Sequence, residues 1–384
     1  MKNSLGLSIL VSGMLVSCSA KQITITPTDT PLPPTETPMP SFTPTITLTP
    51  TMPALPAIEK SAVSGLPYPE TSGVSQPSGA PGTLTVLNWA GFQAALSYTF
   101  DDGQPSQVAH YAELQAQGVP MTFYICEGWL GTSSDFEEVW AQAAADGNEI
   151  GNHTVNHPHS DLSDTGTGGG PLASQALEIT QNAEYITKTI SHRPVWSFAA
   201  PYGDRGWAPY AAAYYFVNRG VAYGTIAPMD STDPMNLPVF MANGGETEKA
   251  LDGEIDSARS GGHWLIFLFH SLLPTSQNWY AGVEIKNVTG SMYHARAAKD
   301  IWTDALYRVA AYWMGQTIVS QAKPAVSGGK YLWKWTLPPH FPTGMYLRIM
   351  VSGGTVSQNG SALPWDAHGF YEIALDAGSL TVSP

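Results

Sequence analysis

From Gly82 onward, short apolar runs of strand length alternate with segments whose apolar residues recur at helical spacing, and this rhythm admits few architectures. Residues 83–87, 94–100, 121–126, 148–151, 195–199, 220–226 and 264–269 read as strands. Between them, 106–117 closed by Gly118, 134–145 closed by Gly147, and 172–190 read as helices. Strands separated by helices pair in parallel, because each crossover returns the chain to the same end of the sheet. The expectation is an α/β fold, a mainly parallel sheet or barrel with its ligands at the carboxyl ends of the strands. A last helix is predicted over 297–313. Beyond it, 331–337, 345–351 and 370–375 read as strands of a small all-β appendage, with 358–365 as a loop.

Chemistry-bearing residues fall where these strands stop. The run 94–100 ends in Asp101, Asp102 and Gly103, and Gly103 allows a sharp turn. Two adjacent carboxylates repel one another unless something positive sits beside them, and a metal ion is the obvious partner. An ordinary Asp-Gly turn with Asp101 capping the next helix is the alternative. Downstream, His153-Thr-Val-Asn-His157 places two histidines four apart, on one face of a helical turn and within reach of one ion. Asp102 supplies a third ligand. One oxygen and two imidazole nitrogens make a catalytic type of site, because positions remain for water and substrate. Tyr202 and His270 also follow predicted strands, so all these residues can meet at one rim.

The N-terminus reads as an export signal: Lys2, a short apolar run over 5–16, and Leu-Val-Ser-Cys18. That run is too short to span a bilayer. Residues 19–82, rich in Thr, Pro and Ser, have almost nothing to bury and read as a disordered tether. Cys126 is then left without an intramolecular partner and reads as an inert core thiol. Charged residues make up only 12% of the chain while Trp, Tyr and Gly are plentiful, a surface suited to neutral sugars. The formal charge of −14, with no Lys/Arg cluster, argues against nucleic acid or an anionic membrane surface as partner.

Thr99-Phe-Asp-Asp-Gly103 followed by His153-Thr-Val-Asn-His157 resembles the first two motifs of the polysaccharide deacetylases, carbohydrate esterase family 4. Phe198-Ala-Ala-Pro-Tyr-Gly203 and Leu265-Ile-Phe-Leu-Phe-His270 resemble further motifs, and the Leu-Val-Ser-Cys18 segment resembles a bacterial lipobox. The resemblance implies a distorted (β/α) barrel and metal-dependent removal of acetyl groups from an acetylated polysaccharide, N-acetyl favoured over O-acetyl. It makes Asp102, His153 and His157 ligands of a divalent ion, zinc by default, and Asp101 the general base. The backbone N–H of Tyr202 would hold the oxyanion, and His270 would protonate the leaving group with Asp233 orienting it. The implied layout is a lipoprotein signal over 1–18, a linker over 19–82, the deacetylase domain over 83–318 and a β-rich domain over 319–384. The protein would sit outside the cytoplasm, touching the membrane only through lipid on Cys18.

Two positions depart from the pattern. An arginine that pairs with the base is usual where this chain has Ala199, and Arg219 is the replacement expected to reach Asp101, with Arg193 and Arg205 as competitors. Asp233 is followed by Pro234, not by the usual tryptophan. The vacancy at Ala199 keeps open a glycan-binding lipoprotein that has lost activity. A two-His-one-carboxylate iron oxygenase is disfavoured, because there the carboxylate stands close to its histidine on a β scaffold.

Overall fold

The alternation of strand and helix closes on itself. The computed structural model describes residues 55–130, 134–164 and 170–384. Strand β1 (Leu84–Val86) lies outside the barrel. Seven parallel strands then close a ring: β2 (Ala94–Phe100), β3 (Thr122–Ile125), β4 (Glu149–Asn152), β5 (Ser197–Ala199), β6 (Val217–Tyr223), β7 (Leu237–Met241) and β8 (Trp264–Phe269). Closure runs from Ala95 paired with Trp264 to Phe100 paired with Phe269. After the short strands β9 (Leu272–Leu273) and β10 (Val283–Glu284), β11 (Ile301–Thr303) adds to β2 beside residues 94–96, below the point where β3 begins. The helices α1 (Pro105–Gln115), α2 (Ser134–Ala145), α3 (Gln175–Tyr185), α4 (Ala208–Ala211), α5 (Glu248–Gly261), α6 (Ile285–Ala297) and α7 (Leu306–Gln321) accompany the strands.

Alternation along β2 explains both faces of the wall. Leu96, Tyr98 and Phe100 join the apolar layer that includes Leu114, Trp140, Leu251 and Val288 of the helices. Ser97 and Thr99 point the other way, Thr99 Oγ1 donating to the Phe267 carbonyl of the adjacent β8 at 2.7 Å and Ser97 Oγ to the Asp304 carbonyl at 2.9 Å. All six residues of β8 are buried, as a strand covered on both faces requires. At the lower end, the N-terminus of α7 meets the barrel: Leu306 N–H donates to Thr122 Oγ1 at 2.9 Å and Tyr307 N–H to Glu149 Oε2 at 3.1 Å.

Several expectations change. The predicted helix over 297–313 is the end of α6, the strand β11 and the start of α7. The loop over 358–365 contains β16 (Ser361–Ala362), paired with β15 (Thr355–Gln358). With β12 (Ala325–Ser327), β13 (Lys330–Lys334) and β18 (Ser379–Ser383) these make one antiparallel sheet, and β14 (Tyr346–Val351) with β17 (Tyr371–Ala374) makes another. The second sheet takes β1 as its third strand, so the expected boundary at 318/319 cuts through α7 and does not separate two bodies. One apolar core joins Leu237 and Ile266 of the barrel to Leu347, Ile373 and Val382 of the C-terminal strands.

Part of the tether expected over 19–82 is ordered, a strap around residues 60–67. Leu66 is buried, and the Arg348 guanidinium donates to the carbonyls of Leu66 and Pro67 at 3.2 and 2.6 Å. Ser61 and Ser64 donate to the Glu372 carboxylate at 2.5 and 2.6 Å, and Glu372 in turn pairs with Arg348 at 3.1 Å. Leu66 supplies apolar surface and the clamp absorbs the backbone polarity, so this strap meets both conditions for ordering. The signal, Cys18 and the tether up to residue 54 lie outside the described residues. Among the described residues no helix is long and apolar enough to cross a membrane.

Candidate metal centre and active site

Four loops at the carboxyl rim bring the candidate residues together. After β2 the chain turns at once: Asp102 has φ 76° and Gly103 φ 67°. A Cβ on Gly103 would lie 2.8 Å from Leu130 Cδ2, so both the turn and the space select glycine. After β4 the two histidines stand on an irregular loop, not on the expected helical turn, with Thr154 at φ 68° and His157 at φ 54°. Side chains fix this loop. Asn152 Oδ1 accepts from Thr154 N–H at 2.8 Å, and Thr154 Oγ1 accepts from His157 N–H at 2.9 Å. The fully buried Glu178 of α3 accepts from the N–H groups of Val155 and Asn156, both at 2.9 Å.

Asp102, His153 and His157 present one ligand atom each, all within 4.8 Å of one another. His153 Nε2 and His157 Nε2 stand 3.5 and 3.6 Å from Asp102 Oδ1. Ligands at ~2.0 Å from a tetrahedral zinc are separated by about 3.3 Å, so the spacing fits such an ion. Orientation fits as well. His153 Nδ1 faces the Ala199 carbonyl at 2.8 Å, which turns Nε2 toward the centre. Asp102 Oδ1 is buried with no hydrogen-bond partner among the described residues, an acceptor left open for a cation.

The electrostatics agree with this donor set. Burial alone would raise the Asp102 carboxyl, but His153, with His157 and His270 behind it, outweighs burial and holds it well below the usual carboxylate range. Burial, then the neighbouring His153, pushes the His157 imidazole down to about 3, so the ring stays neutral, with one nitrogen free to ligate at neutral pH. His270 is also lowered by burial, with Asp101 and Asp102 pulling partly the other way.

Asp101 is held from the far wall. Arg219, fully buried on β6, pairs with Asp101 Oδ1, while Asp101 Oδ2 faces His153 Nε2 at 3.7 Å. Arg219 is the register partner of Ala199 on β5, so the guanidinium has moved one strand over and still reaches the base. Gln107 of α1 donates to the carbonyls of Asp101 and His270 at 2.6 and 2.9 Å, tying the ends of β2 and β8 together. Tyr202 sits second in a tight turn, Pro201–Gly203, with φ 57°. The first positions of such a turn have no N–H partner within it, and Pro201 has no N–H, so Tyr202 offers the free donor.

One sequence expectation fails here. Asp233 does not serve His270: its carboxylate accepts from Met235 N–H at 2.9 Å, and His270 Nδ1 is buried without a hydrogen-bond partner among the described residues. The short Asp233-Pro234 turn spends the carboxylate on its own backbone. Several lining residues escaped sequence reading. A cavity of about 680 Å³ opens over the site, walled, besides the expected Tyr202, by Trp129, Trp279 and Tyr280 with Val221 and Met241. Trp129 packs on His157 at 4.6 Å, and His159 stacks on Tyr202 at 4.0 Å. Lone aromatics in loops carry no spacing signal that would have marked them.

A closed parallel barrel thus carries an Asp-His-His cluster and an arginine-paired aspartate at its carboxyl rim. Residues 93–214 match the family model described as polysaccharide deacetylase. Among curated proteins, the uncharacterized protein YlxY of Bacillus subtilis (strain 168) is 38% identical over 91 residues, 24% of this chain and 25% of that protein. The match thus spans about a quarter of that relative's length. Among solved structures, a family 4 acetyl xylan esterase from Clostridium thermocellum in complex with a cobalt ion is 15% identical with a TM-score of 0.37, covering 56% of this chain and 89% of that one. A family 4 carbohydrate esterase from Streptomyces lividans in complex with acetate is 16% identical with a TM-score of 0.38, covering 55% and 92%.

Proposed function

We propose that the protein is a metal-dependent hydrolase that removes acetyl groups from an acetylated polysaccharide, N-acetyl in preference to O-acetyl. One observation carries the reading: the open Oδ1 of Asp102 and the Nε2 atoms of two histidines converge beside the free Oδ2 of Asp101. A divalent ion held by Asp102, His153 and His157, zinc by default, would acidify water and polarise the acetyl carbonyl. Asp101 Oδ2 takes the proton from the attacking water, and Arg219 on Oδ1 keeps that carboxylate aimed. The N–H of Tyr202 donates to the oxyanion that develops on the carbonyl oxygen. His270 gives a proton to the departing nitrogen, so amide and water become amine and acetate. The aromatic walls and the lack of any Lys or Arg among the lining residues suit an uncharged sugar ring.

The reading extends to location. The lipobox-like Cys18 and the Thr/Pro segment support a lipid-anchored protein outside the cytoplasm, its barrel held off the membrane. Acetate release from a panel of N- and O-acetylated glycans, with and without a chelator, tests the activity. Release that stops with chelator and returns with zinc supports it. Zinc binding without release from any glycan would overturn it in favour of a glycan-binding protein.

A further inference from the structure

Asp102 uses only one oxygen toward the histidines. Its other oxygen, Oδ2, accepts from Gln104 Nε2 at 2.8 Å. Gln104 Oε1 in turn accepts from Ser271 Oγ at 2.5 Å, and Ser271 Oγ accepts from the backbone N–H groups of Trp279 and Tyr280 at 3.0 and 3.2 Å. Gln104 and Ser271 are both fully buried. The direction of every bond in this line is forced. Backbone N–H groups can only donate, so they fill the two lone pairs of the Ser271 hydroxyl and leave its proton for Gln104. The Gln104 amide must then present oxygen to Ser271 and nitrogen to Asp102. Ser271 also fixes the ends of the same loop through its backbone, its N–H donating to the Tyr280 carbonyl at 3.1 Å and its carbonyl accepting from Val283 N–H at 3.0 Å.

The loop held in this way carries substrate-facing surface. Trp279 and Tyr280 line the cavity and are about half exposed, at 45% and 53%. Tyr280 stands edge-on to His270 at 4.8 Å, and Trp279 meets Trp129, which packs on His157.

We infer that Gln104 and Ser271 are positioning residues that couple the metal centre to the aromatic loop. By holding Oδ2, Gln104 leaves Oδ1 as the oxygen aimed at the histidines. By supplying the last proton in the line, Ser271 fixes the Gln104 amide and seats the backbone under Trp279 and Tyr280. A disturbance at either end is therefore felt at the other. The inference rests on Asp102 being a metal ligand and not on the acetyl transfer.

The test uses the full chain without substrate. Zinc affinity is measured by competition with a chromogenic chelator for the parent, Gln104→Met, Ser271→Ala and the double variant. Each single variant is expected to bind zinc about tenfold more weakly, as loss of a partner behind a metal ligand does. The double variant should be no weaker than the poorer single one, because both cut the same line. Ser271→Ala, smaller by one oxygen, carries the test if Gln104→Met does not fold. Acrylamide quenching of tryptophan fluorescence should rise in metal-free Ser271→Ala as Trp279 loosens. Parent-like zinc affinity in the variants, losses that multiply in the double variant, or a parent that takes no divalent ion would each overturn the coupling. A parent that binds zinc tightly and releases no acetate sinks the proposed activity and leaves the coupling standing.

Discussion

Arg219→Ala is the most informative single change. Arg219 has no exposure and Asp101 has 3%, so the substitution strands a buried carboxylate that faces the His153 imidazole 3.7 Å away. Removing one member of a buried pair costs about 3–5 kcal/mol, since the other charge is left without compensation. For a body of this size that is a fall in Tm of about 4–7 °C. The base would also lose its aim, and a misplacement of about 1 Å costs on the order of 10²-fold in kcat. KM should stay near the parent value, because Arg219 does not line the cavity. A second variant makes the reasoning strict. Ala199 and Arg219 are register partners on adjacent strands, so Ala199→Arg combined with Arg219→Ala returns a guanidinium to the neighbouring wall. Differential scanning calorimetry and acetate-release kinetics on both are the assays, and the exchange should recover more than half of the lost stability and part of kcat. An Arg219→Ala protein with parental Tm and kcat, or an exchange variant no better than the single one, would refute the argument.

Burial lifts the Glu149 carboxyl from 4.5 to about 7 against the hydrogen bonds from Ser197, Tyr307 and Thr122, so the fold prefers it protonated. Its contribution is fully present below pH 4.5 and is lost as pH rises through 7, a change of about 3 kcal/mol that urea denaturation at pH 5 and pH 8 should detect and Glu149→Gln should remove. Cys18→Ser should abolish lipid attachment and release the protein from the membrane fraction; unchanged membrane retention with normal processing would count against the anchor.

The barrel was legible because its strands announce themselves. The bounds of β2, α2 and β8 follow directly from apolar runs and a closing glycine. β7 escaped because Pro238 interrupts a five-residue strand, and proline counts against a strand in any reading from sequence. The stretch 297–313 misled because the three residues of β11 are too few to break a helical pattern. At the site, residue identity was visible in the motifs but conformation was not. Asp102, Thr154, His157 and Tyr202 all adopt positive φ, which non-glycine residues rarely do and which no spacing reveals. Glu178 and Gln104 were equally hidden, for a buried carboxylate or amide looks in sequence like any helix-surface residue. Arg219 was found because a vacancy at Ala199 demanded a replacement.

The strap and the C-terminal sheet have a consequence for how the molecule is made. Ser61 meets Glu372 across 311 positions of chain, and β1 pairs with β14. Bringing such distant segments together is the slow part of folding, because loop entropy is lost before the contacts repay it. During synthesis the strap and β1 must wait until the end of the chain emerges, with Leu66 and Val86 lacking the surfaces that bury them. A chain truncated after α7 would keep the barrel's strands and all its candidate catalytic residues, yet leave the apolar residues of α7, Val309 and Tyr312 among them, stripped of the sheet that covers them. Such a fragment is expected to be prone to aggregation whatever its chemistry. The C-terminal strands thus act as the fastener that lets the chain finish folding.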